Sequence, residues 1–228
     1  MTDLVFEKKE SMTLRTLSAL EARVLAVLVE KESTVPDSYP LSLNALTLGC
    51  NQKTARDPVM AASEADVLEA LEELKSMHLV SSVSGNRVVR FEHNGARGLA
   101  VPGAALALLT LLMLRGPQTA AELRQNTERL HRFADVSSVE GFLDELAERT
   151  PPLAIKLARA PGAREPRWAH LLCGEVSQPE PSQAGSAHVA RDEEMAFLRA
   201  EQQRMNAELV QLKALVHRMA GELGLSPD

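Results

Sequence analysis

Two stretches of this chain repeat one another. Val67-Leu68-Glu69-Ala70-Leu71-Glu72-Glu73-Leu74 and Val139-Glu140-Gly141-Phe142-Leu143-Asp144-Glu145-Leu146 share their apolar spacing and an acidic face. A segment that recurs with its flanking elements marks a duplicated unit, and duplication limits the possible folds more than any single motif does. The flanks recur as well. Ser63-Glu64-Ala65-Asp66 and Ser137-Ser138-Val139-Glu140 are helix-start signals, in which a hydroxyl accepts from an orphan amide and a carboxylate reaches back. Each helix is followed by two short β-prone runs. In the first copy these are Leu79-Val80-Ser81-Ser82-Val83 and Val88-Val89-Arg90-Phe91, around the turn Ser84-Gly85-Asn86-Arg87. In the second they are Leu153-Ala154-Ile155-Lys156-Leu157 and Arg167-Trp168-Ala169-His170-Leu171-Leu172, joined by a long tip containing Pro161-Gly162.

Two further helices precede each repeat. A capping box at Ser18-Ala19-Leu20-Glu21 starts a helix through Leu20, Val24, Leu25, Val27 and Leu28 to about Glu32. Pro36 and Pro40 frame a connection to a short helix whose apolar face is Leu43, Leu46 and Leu48, with Gly49 suited to a left-handed closing residue. The third helix is expected to bury Val67, Leu68, Leu71, Leu74 and Met77. In the second half, Pro102 to Arg115 reads as an apolar helix and Thr119-Ala120-Ala121-Glu122 caps another. Because Ala104 through Leu114 is apolar on nearly every side, it should lie between the two units as well as in its own core. Three helices and a hairpin, in that order, make a winged-helix domain. Few aromatics (3%) and abundant Leu and Ala agree with a helical protein.

Past Glu175 the composition changes. Residues 176–190 are rich in Ser, Pro, Gln and Gly, as in a flexible linker. Beyond them Met195, Gln202, Leu209, Val216 and Leu223 fall on one heptad position and Leu198, Met205, Leu212 and Met219 on the other, over about four heptads. A lone amphipathic helix folded onto its own domains has such a face too. The strict spacing of seven favours a dimerising coiled coil, with Gln202 as a register-setting polar residue and Glu194/Arg199 and Glu208/Lys213 as flanking pairs. The expected fold is therefore mainly α with small β-hairpin wings: two tandem winged-helix domains followed by a C-terminal coiled-coil-like helix. The divisions are a tail (1–17), a first domain (18–98), a second (99–175), a linker (176–190) and the helix (191–224).

Several runs, in order, resemble the YceH-like family of bacterial proteins. They are Leu28-Val29-Glu30-Lys31-Glu32, Tyr39-Pro40-Leu41-Ser42-Leu43-Asn44-Ala45-Leu46, Cys50-Asn51-Gln52-Lys53, Arg56-Asp57-Pro58-Val59, Leu114-Arg115-Gly116-Pro117-Gln118-Thr119 and Arg164-Glu165-Pro166-Arg167-Trp168-Ala169-His170-Leu171. The resemblance spans about Ser18 to Glu175 and implies a tandem winged-helix fold. It implies no established activity, and DNA binding attaches to it by analogy of fold alone. Within Glu122-Leu123-Arg124-Gln125-Asn126 the chain has Asn126 where the family pattern has Arg, which weakens a phosphate role for that helix.

A formal charge of -6 and a pI near 5.6 provide no global field toward nucleic acid, so any such binding must be local. Candidate nucleic-acid contacts are Asn44, Asn51, Gln52, Lys53 and Arg56 around the first domain's turn, Arg87 and Arg90 on its hairpin with Arg97 just after, Arg124, Arg129 and Arg132 on the second domain's middle helix, and Lys156, Arg159, Arg164 and Arg167 on its hairpin. Ordinary solubilising charge accounts for the same residues equally well. The third helices oppose simple major-groove reading, because Asp66, Glu69, Glu72 and Glu73, and Glu140, Asp144, Glu145 and Glu148, would face phosphates. Two readings follow: a regulatory, dimeric double-stranded-DNA binder using wings and turns, or an interaction scaffold that organises other proteins through acidic faces and the coiled coil.

No phosphate loop, zinc-protease helix or nucleophile elbow is present, so no catalytic residue and no cofactor are assigned. His78, at a helix end, and His170, in a strand, are expected to be structural, and Cys50 and Cys173 lack metal-ligand spacing. The apolar run Leu99–Leu114 is interrupted by Pro102 and Gly103 and falls short of the roughly 18 to 20 residues a bilayer requires. The N-terminus lacks the order of a signal peptide, which makes the cytoplasm the expected location, without membrane partners.

Overall fold

Five of the seven α-helices among the described residues start on a side-chain hydrogen bond that spans three residues. In the computed structural model, which describes residues 15–84, 88–159 and 162–176, the Ser18 hydroxyl accepts from the Glu21 amide at 3.1 Å, and the Glu21 carboxylate accepts from the Ser18 amide at 2.8 Å. This box opens α1 (Ala19–Thr34). A 3-10 turn (Pro36–Ser38), β1 (Leu41–Ser42) and α2 (Leu43–Cys50) follow. Ser63 with Asp66 opens α3 (Glu64–Ser76) in the same way, and the hairpin strands β2 (Val80–Ser84) and β3 (Val89–His93) come next. The second half comprises α4 (Gly95–Gly98), α5 (Gly103–Arg115), α6 (Ala120–Asn126), α7 (Val136–Glu148), β4 (Ala154–Lys156) and β5 (Trp168–His170). Thr119 and Glu122 cap α6 as anticipated. For α7 the cap is Asp135 and not Ser137, because the Asp135 carboxylate takes both the amide and the hydroxyl of Ser138 at 2.7 Å.

The architecture is mainly helical with two small antiparallel sheets, compatible with a winged helix. β2 and β3 pair from Val80↔His93 to Ser84↔Val89, as the sequence pattern suggests. The same sheet contains β1, through Leu41↔Phe91 and Ser42↔Arg90, a pairing too short to leave a periodic signal. β4 and β5 pair from Ala154↔His170 to Lys156↔Trp168, and Gln118, just ahead of α6, bridges to Trp168.

One hydrophobic core runs through both halves. Residues 104–114 of α5 are all buried; α5 packs on α1 as well as on α6, α7 and β5 of its own half, so the helix joins the two. Backbone bonds reinforce the joint: Asp57 N donates to Leu114 O at 2.7 Å, and Leu17 N to Leu172 O at 2.8 Å. The repeated segments bury corresponding positions, Val67, Leu71 and Leu74 in α3 and Val139, Leu143 and Leu146 in α7.

Several expectations fail at the surface. α2 buries Leu46, Thr47 and Cys50 and half-buries Leu43, while Leu48 is 66% exposed; the short helix meets the core along positions 43, 46, 47 and 50. Leu68 is likewise turned outward on α3. Gly49 lies inside α2 and does not close it with a left-handed residue; α2 ends at Asn51 with φ −88°. The glycine is needed because a Cβ there would meet Val27 Cγ1 of α1 at 2.7 Å. α6 ends at Asn126, so Arg129 and Arg132 lie in the following loop and not on that helix. The hairpin turn 85–87 with Arg87, Pro161, the tail through residue 14, the linker beyond Val176 and the heptad positions Met195 to Leu223 lie outside the described residues.

Candidate nucleic-acid interface

The turn after α2 is built by charges that face inward. Arg56 is buried, and its Nη1 and Nη2 donate to the Glu30 carboxylate at 3.1 and 2.6 Å. Its remaining donors go to the carbonyls of Gly49 and Ala55 and to Gln52 Oε1. Burial alone would raise the Glu30 pKa, but the hydrogen bonds and charge of Arg56, with Lys31 beside it, hold it below the ordinary glutamate range. Asn51 is equally committed, since its amide donates to Ala62 O and accepts from Ala62 N, both at 2.8 Å. Arg56 and Asn51 therefore hold the turn together, and a phosphate or base could take them only by breaking these bonds. Gln52 and Lys53 are exposed at the same turn, and Asn44 donates to Glu64 at 3.2 Å on the exposed side of α2.

The first hairpin also uses its arginine internally. Arg90 donates to Ser38 O and Pro40 O at 3.3 and 2.7 Å, fastening β3 to the segment before β1. Arg97 is exposed on α4.

The second half is different. Lys156 lies 5.2 Å from the centre of the Trp168 ring and, with Arg159, Arg164 and Arg167, is exposed on the β4–β5 hairpin. Arg167 makes two long contacts, to Pro117 O at 3.4 Å and Glu122 at 3.9 Å. Nearby cations are more occupied: Arg124 donates to Ala134 O at 3.0 Å, and Arg132 lies 3.7 Å from Glu128, while Arg129 is exposed. Four cations, with the carboxylate of Glu165 among them, are exposed on this one hairpin.

The repeated helices present acid. On α3, Glu64, Asp66, Glu69, Glu72 and Glu73 are exposed; Glu73 pairs with Arg15 and Glu72 with Lys75, while Asp66 caps the helix. On α7, Asp144, Glu145 and Glu148 are exposed and have no ion-pair partner among the described residues.

Sequence reasoning overlooked two residues. Arg23 is 1% exposed in the middle of α1 and donates to Cys50 O and Pro58 O, holding the same turn from the other side. A cation inside the apolar run Ala22–Val29 was the available signal. Arg15 bridges Glu21 and Glu73, tying the start of α1 to α3. His170, which the sequence placed in a strand, is half-buried in β5 with its Nδ1 shielded, and desolvation lowers its pKa to about 4, so it is neutral near pH 7. No group of three or more metal-ligating side chains occurs among the described residues, and no helix there is long and apolar enough to cross a membrane.

Comparison with known proteins places this geometry in a family. The model of "Protein of unknown function, DUF480" matches residues 17–163. A UPF0502 protein of Leptothrix cholodnii is 63% identical over 218 residues, covering 94% of this chain and 98% of that one. A UPF0502 protein of Burkholderia pseudomallei is 63% identical over 214 residues, covering 93% and 91%, and one of Burkholderia orbicola is 61% identical over 218, covering 94% and 92%.

Proposed function

The chain belongs to the DUF480 family of proteins of unknown function, in agreement with the YceH-like resemblance, and from that footing we propose that it is a tandem winged-helix protein that holds double-stranded DNA by its phosphates in a regulatory role. The tandem reading is supported by the matching halves. In each, the segment before the middle helix joins the hairpin's return strand, Leu41↔Phe91 in one and Gln118↔Trp168 in the other. The observation that carries the DNA reading is the set Lys156, Arg159, Arg164 and Arg167 on the β4–β5 hairpin. Side chains of this kind neutralise phosphates and release counterions, and a projecting hairpin reaches the backbone without bringing α7 into the groove. Arg56, Asn51 and Arg90 serve the fold and have no part in the contact. The heptad residues from Met195 to Leu223 dimerise the chain and give it two such hairpins.

A salt titration on random duplex DNA tests this reading. Affinity should fall steeply with salt, and Arg164→Ala with Arg167→Ala should weaken binding on all sequences and flatten the log–log slope by up to about two units. An unchanged slope removes the hairpin from the proposal. The exposed carboxylates of α3 and α7 favour a second reading, an interaction scaffold, for which duplex DNA should bind weakly at every salt concentration.

A further inference from the structure

Among the described residues, α2, α3 and the connection between them expose three apolar side chains beside carboxylates. Leu48 is 66% exposed, Val59 56% and Leu68 42%, while α2 buries Leu46 and α3 buries Val67, Leu71 and Leu74 on their other sides. Asn44 and Leu48 on α2 and Asn51 at its C-cap are spaced i, i+4 and i+7, toward one side of the helix. Both asparagines point at the start of α3: Asn44 donates to Glu64, and Asn51 is bonded twice to Ala62. Leu48, between them in sequence, stands on the side of α2 next to the start of α3 and stays exposed there. Leu68 stands one turn beyond Glu64, and Val59 lies in the connection that leads to Ala62.

We propose that this α2–α3 face docks a partner protein through a short apolar segment flanked by arginine or lysine. The apolar centre supplies the burial, and Glu64 and Glu69 set the charge of the occupant, Glu72 being already held on Lys75 at 3.0 Å. Duplex DNA is excluded by the same carboxylates. A second copy meeting the face across a twofold axis would set Glu64 and Glu69 against their equivalents, so self-association here is opposed as well. The face is separate from the β4–β5 hairpin, and the inference does not depend on DNA binding.

The probe is a synthetic helical peptide of about 18 residues with a leucine stripe and arginine flanks, titrated into the full chain by fluorescence anisotropy. Saturable micromolar binding that weakens with salt is expected. Leu48→Asp and Leu68→Asp should each lower affinity at least tenfold, with circular dichroism and thermal melting unchanged because both side chains are on the surface. Glu64→Lys with Glu69→Lys should do the same, and Arg164→Ala with Arg167→Ala should have no effect. Backbone amide shifts on peptide addition should map to α2, α3 and the connection between them. Equal binding by the variants, a footprint elsewhere, protection of this face by duplex DNA, or a change in sedimented mass caused by Leu48→Asp would each overturn the proposal.

Discussion

Replacing Arg56 with alanine leaves the Glu30 carboxylate facing a buried turn without its partner. The guanidinium donates to both Glu30 oxygens and to three further acceptors, and its side chain is wholly shielded from solvent. Removing one member of a buried pair destabilises by about 3 to 5 kcal/mol, mostly through the charge left behind. Because the Glu30 side chain retains 17% exposure, water relieves part of that penalty, and the lower end, about 3 kcal/mol, is expected. For a unit of this size that corresponds to a fall in Tm of about 6 to 12 °C. Urea unfolding followed by circular dichroism measures it, and an unchanged m-value would mean that stability alone has moved. Glu30→Gln combined with Arg56→Met should lose less than Arg56→Ala alone, since no uncompensated charge remains. The pH dependence has a definite sign. Glu30 has a lower pKa folded than unfolded, so its contribution is complete above the unfolded value and disappears as pH falls through the folded one. Arg56→Ala should therefore show a shallower acid loss than the native chain. A destabilisation below about 1 kcal/mol, or a DNA affinity that collapses while the fold stays intact, would refute the structural role assigned to Arg56.

Three other outcomes are expected. Gly49→Ala places a methyl 2.7 Å from Val27 Cγ1 and should destabilise by about 1 to 3 kcal/mol, with partial recovery in the Val27→Ala background, measured by urea unfolding. His170 stays neutral in the fold to about pH 4, whereas in the unfolded chain it protonates near 6.5, so stability should decline between those values by up to about 3 kcal/mol. His170→Gln should flatten that window in unfolding midpoints taken across pH and leave the more acidic Glu30 transition in place. Deleting everything after Glu175 should leave a folded monomer by sedimentation at micromolar concentration; a truncated chain that still dimerises would move the interface out of the heptads.

Much of the fold was legible because its signals are local. The boxes at Ser18/Glu21, Ser63/Asp66 and Thr119/Glu122 close over three residues, and the spacing of Val67, Leu71 and Leu74, repeated as Val139, Leu143 and Leu146, follows from helical geometry alone. The same holds for the two hairpins and for α5, whose all-round apolarity required cover from both halves. The candidate site was less legible. Composition drew attention to Arg56, Asn51 and Arg90, but whether a cation faces solvent depends on what the chain brings opposite it. Glu30, Ala62 and the carbonyls of Ser38 and Pro40 lie far enough away in sequence that no periodicity records them. Tertiary packing likewise assigned Gly49 to a helix crossing, left Leu48 and Leu68 uncovered, and kept the cations of the second hairpin exposed. The sequence by itself determined where α1, α3 and α6 begin and the repeated buried positions of α3 and α7, because those properties arise within one or two turns of chain. Only the tertiary structure decided which charged groups remain available to a partner, because that depends on desolvation and pairing between segments that meet only when the core closes.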